Sequence, residues 1–310
     1  MQSRVKQLTI YILQICIGVA LVVWILSQVD RHKFVEYYRS LSLTSLIIIF
    51  ALSALGLYVQ FRRWKYLVER YSLHFNLADL LPSFFSGYAF RLLIPGGHAE
   101  FSKIFLLPGK KRGKVLAYGM EKYAQALIKI FALLIVIPFN FPDFKVYSIL
   151  CLLLLLIGYF LFPKIPIIKT FQEKDVHYHR VIGMNFVFAV EIFVIMGMQY
   201  YLLLNEVDSI SLSATYHTSV YLWSAGMVPI SVSGLGIREG LAVYFFKFYS
   251  ISAAHAVATS LFLFTINTII PALVGVFYIY KHRAYFGEIK DSVKSTREII
   301  ASIRSNKKSE

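Results

Sequence analysis

Six runs of apolar residues, at roughly 8–27, 44–61, 115–137, 146–162, 181–203 and 254–280, limit what this 310-residue chain can become. Each is long enough to cross a hydrocarbon core of about 30 Å. In hydrocarbon every backbone polar group needs a partner within the protein, and long uninterrupted apolar runs meet that need as helices. Composition agrees, since 57% hydrophobic and 16% charged residues is far from the balance of a soluble domain. The first run follows Arg4 and Lys6 as a signal peptide would, but it is too long and lacks a small-residue cleavage site. It is expected to remain as an anchor. The expected fold is an all-α polytopic membrane domain over 1–283, followed by a basic cytoplasmic tail over 284–310.

Basic residues cluster at Arg62-Arg63-Trp64-Lys65, Lys110-Lys111-Arg112-Gly-Lys114, Lys164 to Arg180 and from Lys281 onward. The loops around Asn140 to Phe144 and Asn205 to Asp208 are poor in Lys and Arg. The positive-inside rule then puts both termini in the cytoplasm, although Arg31, Lys33 and Arg39 fall on the outer side. The net charge of +15 follows from basic inner loops and needs no nucleic-acid partner. Trp24, Trp64 and the many tyrosines suit interfacial anchoring.

Two further apolar segments, about 80–95 and 212–228, do not run on as helices. They lead into Leu93-Ile-Pro-Gly-Gly-His-Ala-Glu100 and Met227-Val-Pro-Ile-Ser-Val-Ser-Gly-Leu-Gly-Ile-Arg-Glu239. Proline and paired glycines break helix geometry, and a carboxylate in hydrocarbon is costly. Such backbone persists at membrane depth only where protein or a water-filled cavity satisfies it. Charge topology makes 80–108 a hairpin entering from inside and 212–249 one entering from outside. The order span, span, hairpin, span then occurs twice, with Glu100 and Glu239 each 15 residues before the next span. Six full spans plus two re-entrant hairpins form an inverted repeat of the kind that places a site near the midplane. The alternative is eight ordinary spans.

The candidate substrate-binding residues lie at these tips. Arg91, Pro95, Gly96, Gly97, Glu100 and Lys103 belong to the first, with His98 a weaker candidate. Pro229, Gly234, Gly236, Arg238 and Glu239 belong to the second, and Glu121 and Lys122 come from the third span. Exposed amides at helix breaks suit an anion such as phosphate. The glutamates could take an amino group or a coupling proton, or simply pair, Glu100 with Lys103 or Arg91. Glu121, Gln125 and Lys129 share a helix face by their spacing. Glu191 and Gln199 suit interhelical hydrogen bonds, and Asn267 with Pro271 suits a kink or a polar contact.

Motifs of soluble chemistry are missing. Gly109 to Val115 is one residue short of a phosphate-binding loop and lacks its Ser or Thr. His177-Tyr-His179 supplies only two imidazoles, Glu173-Lys-Asp175 reads as a solvated loop, and Cys16 and Cys151 lie in separate spans. No catalytic residue, metal site or cofactor is expected. The tail carries Ile289, Val293, Ile300 and Ile303 near one helical face, with basic residues elsewhere, which suits an inner-leaflet surface helix or a solvated tail.

Leu92-Leu-Ile-Pro-Gly-Gly-His-Ala-Glu100 with Lys103, the pair Glu121-Lys122, and Pro229-Ile-Ser-Val-Ser-Gly-Leu-Gly-Ile-Arg-Glu239 carry a resemblance. From about residue 10 to 282 the chain resembles the transmembrane, flippase-like domain of the lysylphosphatidylglycerol synthases and their stand-alone relatives. Departures occur at Gly97 and Ala99-Glu100, where the family usually shows an arginine and a Gly-Glu pair. Lys122 stands where the family has arginine, and Gln125 where it has an acidic residue. The resemblance implies movement of a phospholipid or lipid-linked head group between leaflets of the cell (inner) membrane, with no enzymatic step. Membrane lipids with a phosphate-bearing head group are the implied partners, beside a homo-oligomer or an envelope enzyme. Two other classes stay open, a membrane-embedded transferase acting on a lipid phosphate and a non-transporting envelope scaffold.

Overall fold

A computed structural model describes residues 16, 20, 22–27, 30–71, 75–93, 99–108, 111–164, 177–227 and 232–282. Among them every element is helical and no strand occurs. The expected first span, the loop at 165–176 and the tail over 284–310 lie wholly or mostly outside the described residues, as do Pro95, Gly96, Gly97, His98 and Pro229.

Helix α1 (Arg31–Ser40) starts at Asp30, whose carboxylate accepts the N–H groups of His32 and Lys33. It leads to α2 (Leu43–Tyr71), which runs well past the apolar stretch that announces it. Next come α3 (Leu77–Leu93) and a 3-10 segment (Ala99–Leu106), then α4 (Lys111–Asn140) and α5 (Lys145–Leu161). The remainder is α6 (Tyr178–Leu204), α7 (Leu212–Ser224), α8 (Ile237–Phe246) and α9 (Ala253–Lys281). Among the described residues five helical stretches are long and apolar enough to cross a membrane: Leu43–Tyr71, Gly113–Asn140, Pro142–Lys164, Tyr178–Leu204 and Ala253–Lys281.

The elements at the two breaks are shorter. At 1.5 Å per residue α3 reaches about 25 Å, α7 about 20 Å and α8 about 15 Å. Alone, each falls short of a core of about 30 Å. They pack instead as pairs, α3 against the 3-10 segment and α7 against α8. The first pair lies mainly on α9, the second on both α4 and α9, while α2 and α6 pack against each other. Gly275 makes the first contact possible. A Cβ there would meet the Phe85 carbonyl oxygen at 2.1 Å, so α3 and α9 approach backbone to backbone.

Among the described residues two large apolar clusters result, beside three smaller ones. One gathers Trp64, Leu67, Leu80, Phe84 and Ile104 under the first break. The other gathers Tyr200, Leu203, Leu222, Phe246 and Leu263 under the second. Between them α9 contains a π turn, Thr265–Ile269. Pro271 lacks the N–H that an α-helix would offer the Asn267 carbonyl, which favours a local change of pitch here. The Asn267 side chain receives a hydrogen bond from Ser53 and donates to Gln199 at 2.9 Å, tying α2, α6 and α9 together.

Candidate functional site

In the first half, charge gathers because α2 extends beyond residue 61. The extension carries Arg63 to 7% exposure and Trp64 to complete burial. Trp64 is therefore no interfacial anchor. Its indole donates to Ser83 at 3.2 Å, and its ring lies 3.9 Å below the Lys103 ammonium. Ser83 in turn donates to the Lys103 carbonyl at 2.8 Å, which fixes the 3-10 segment on α3. Gly87 leaves room for this contact, since a Cβ there would lie 3.1 Å from Lys103 Cδ.

Lys103 bridges two carboxylates, Glu100 at 3.0 Å and Glu121 at 2.6 Å. The other Glu100 oxygen accepts Lys122 Nζ. Glu121 also accepts Arg63 Nη2 at 3.2 Å and Gln125 Nε2 at 3.3 Å. Glu100 thus pairs with Lys103 and Lys122 and not with Arg91. The network joins α2, the 3-10 segment and α4, with Glu121 at 3% exposure. One donor is left over: Arg63 Nε is buried and has no hydrogen-bond partner.

At the second break the backbone does the shaping. Ser233, Gly234 and Gly236 all have positive φ, at 55°, 79° and 82°. Glycine tolerates this region and other residues rarely adopt it. Gly234 also abuts the end of α7, since a Cβ there would lie 3.3 Å from the Gly226 nitrogen. Gly236 caps α8, and Glu239 Oε2 reaches back to accept its N–H at 2.6 Å. The other Glu239 oxygen accepts Arg238 at 2.6 Å and Ser260 at 2.9 Å. Glu239 is 0% exposed, with both oxygens occupied.

The two breaks meet. Arg91, at the end of α3, donates through Nε to Ser233 Oγ at 3.2 Å, and Ser233 Oγ donates to the Arg91 carbonyl at 3.4 Å. Around this contact is a cavity of about 360 Å³. Its polar wall includes Gln60 and Arg63 from α2, Arg91 from α3, Glu100, and Lys122, Gln125 and Lys129 from α4. Gln199, Trp223, Gly226, Ser233, Arg238 and Asn267 close it from the other side. A polar cavity lined by side chains of both halves, inside an apolar helical chain, is the arrangement expected of a site that handles something charged.

The model of the lysylphosphatidylglycerol synthase TM region matches residues 11–275. The chain belongs to that family. Comparison with curated proteins and with solved structures gives no significant match. In this member of the synthase TM-region family, Arg91, Glu100, Lys122 and Arg238 line the cavity. Lys103, Glu121 and Glu239 stand behind it as ion-pair partners of lining or buried groups. Gly234 and Gly236 shape the turn.

Sequence reasoning passed over Arg63, Tyr88, Lys129 and Ser233 as site residues. A signal existed for the first of these. Ser53, Gly56, Gln60 and Arg63 recur at three- and four-residue spacing, a polar stripe along an apolar helix. Reading Arg62 to Lys65 as one basic loop hid it. Glu191 forms no interhelical hydrogen bond through Oε2, which is buried without a partner. Among the described residues no three of His, Cys, Asp or Glu gather as a metal site would require.

Proposed function

We propose that this protein is an integral membrane lipid translocase, which moves a phosphate-bearing head group between leaflets through the cavity where the two breaks meet. The single observation that carries this reading is the Arg91–Ser233 contact within a cavity walled by cations from both halves of an apolar helical chain. A head group crossing a bilayer needs a polar surface to replace its water, and such a cavity provides one. Membership of the lysylphosphatidylglycerol synthase TM-region family supports a lipid as what the protein handles.

On this reading the breaks are re-entrant, six spans surround them, and both termini face the cytoplasm of a cell membrane. Support comes from the short reach of α3, α7 and α8 and from the packing pattern. The first pair rests mainly on the last span and the second on the third and the last, while α2 and α6, the second span of each half, pack against each other. A twofold exchange of the halves would produce that pattern. Rocking of one half against the other would expose the cavity to each leaflet in turn, with no chemical step on the lipid.

The test is movement of fluorescent phospholipid in proteoliposomes, read as the fraction of label destroyed by a membrane-impermeant reductant. Vesicles holding the protein are expected to lose label well beyond the outer-leaflet half, and protein-free vesicles to stop there. Equal protection in the two preparations removes the translocase reading.

A further inference from the structure

The cations lining the cavity are Arg63, Arg91, Lys122, Lys129 and Arg238, and Lys103 stands just behind them. Among the described residues three carboxylates answer these six, namely Glu100, Glu121 and Glu239. The surplus is local. Arg238 is balanced by Glu239 alone, while Glu100 and Glu121 are shared among Arg63, Lys103 and Lys122. Arg91 and Lys129 meet no carboxylate within ion-pairing distance among the described residues. Arg91 has a neutral hydroxyl on Ser233 and the Tyr88 ring, and Lys129 lies 5.2 Å from the centroid of the Trp223 ring.

The carboxylates are already engaged. Each Glu100 oxygen accepts a lysine, and each Glu239 oxygen is taken by Gly236 or by Arg238 and Ser260. An incoming ammonium would have to share Glu100, the only carboxylate on the wall among the described residues, with two lysines and beside an excess of like charge. An incoming phosphate would meet Arg91 and Lys129, beside Arg63, whose buried Nε has no hydrogen-bond partner among the described residues. Uncompensated cations in a low-dielectric site are costly, and a charge-assisted bond to phosphate relieves that cost.

We propose that the cavity selects a lipid whose head group ends in a bare phosphate, and rejects a phospholipid once an aminoacyl ammonium has been attached to it. This rests on the translocase reading for its setting and concerns the substrate class of the same site. The family's name refers to a lysyl-bearing lipid, and the charge balance of this chain points the other way.

The experiment is equilibrium binding of fluorescent phosphatidic acid to the purified full chain in detergent. Unlabelled phosphatidic acid, lysylphosphatidylglycerol and inorganic phosphate serve as competitors. Phosphatidic acid is expected to compete at least about tenfold better than the lysyl lipid, the scale of one charge-assisted hydrogen bond. Lys129→Gln and Arg91→Gln should each weaken phosphatidic acid by roughly tenfold, and Lys129→Arg should restore most of the loss. If the variants fold poorly, the wild-type ratio decides alone. Competition by lysylphosphatidylglycerol equal to or better than phosphatidic acid overturns the proposal. Inorganic phosphate competing as well as the lipid also overturns it, by assigning the site to a soluble anion. Binding needs no second leaflet, so selective binding without lipid movement would refute the translocase and leave the selectivity standing. Movement of both lipids at equal rates, with equal binding, would do the reverse.

Discussion

Glu100 and Glu239 stand at matching places after the two helix breaks, yet one is held by side chains and the other by backbone. Glu100 shares Lys103 with Glu121, and through Glu121 it is linked to Arg63 and Gln125, so three elements are joined by charge. Glu239 closes on its own helix, accepting the Gly236 N–H and the neighbouring arginine. The first arrangement depends on residues far apart in sequence and leaves cations facing the cavity. The second is nearly self-contained and electrically neutral. Carboxylates that follow two helix breaks therefore need not do the same work: here the first half supplies the field and the second supplies a shaped turn.

The sharpest way to break this contrast is Glu121→Gln. It leaves Arg63 buried with no carboxylate and Lys103 with Glu100 alone, and removing one partner from a buried ion network costs about 3–5 kcal/mol. A large fall in melting temperature and in monodisperse yield in detergent is expected. Glu239→Gln should cost less, roughly 1.5–3 kcal/mol, because the amide oxygen can still accept one donor while charge-assisted bonds are lost. If Glu239→Gln proves the more damaging, the contrast is reversed.

Gly234→Ala tests the backbone side of the comparison. Its φ of 79° and the nearby Gly226 backbone predict a loss of about 1–2 kcal/mol from left-handed strain. The melting temperature should fall without any change in the anion selectivity that the first half governs.

Glu206 touches neither break and serves as the control. It joins the end of α6 to the start of α2, accepting Ser45 Oγ and, at 3.4 Å, the Ser42 N–H. The Ser45 hydrogen bond is the main cause that holds its carboxyl below the ordinary value of 4.5, with the Ser42 bonds adding to it against partial burial. A carboxyl lowered on folding contributes stability above its unfolded pKa, and that contribution is lost as pH falls through the folded value. Glu206→Gln should therefore flatten the loss of melting temperature below about pH 4.5, by no more than about 1 kcal/mol. An unchanged acid limb would show that this contact carries no stability.

The long apolar helices were legible in the sequence because membrane helices declare themselves by length and hydropathy. The breaks were legible because Pro95, Pro229 and their glycines contradict that pattern. The network was half legible. Glu121, Lys122 and Lys103 stood out as charges in apolar surroundings, but their pairing depends on how α2 crosses α4, which no local signal encodes. Arg63 was hidden by its neighbours, since Arg62 does face outward over Phe188 while Arg63 turns inward. The capping role of Glu239 was legible in principle, as a carboxylate three residues after a glycine at a helix start.

If lipid passes through the cavity between the two breaks, Gly226 gives direct access to its path. Gly226 is exposed, lines the cavity, and has no heavy atom within 4 Å of a Cβ built on it. In a background with Cys16→Ser and Cys151→Ser, both exposed free thiols in the native chain, Gly226→Cys can be modified by a bulky reducible thiol reagent. Lipid flux in proteoliposomes is then followed on one preparation before labelling, after labelling and after reduction. A fall to the protein-free rate on labelling, with recovery on reduction, is the predicted result. Complete labelling with unaltered flux would contradict it.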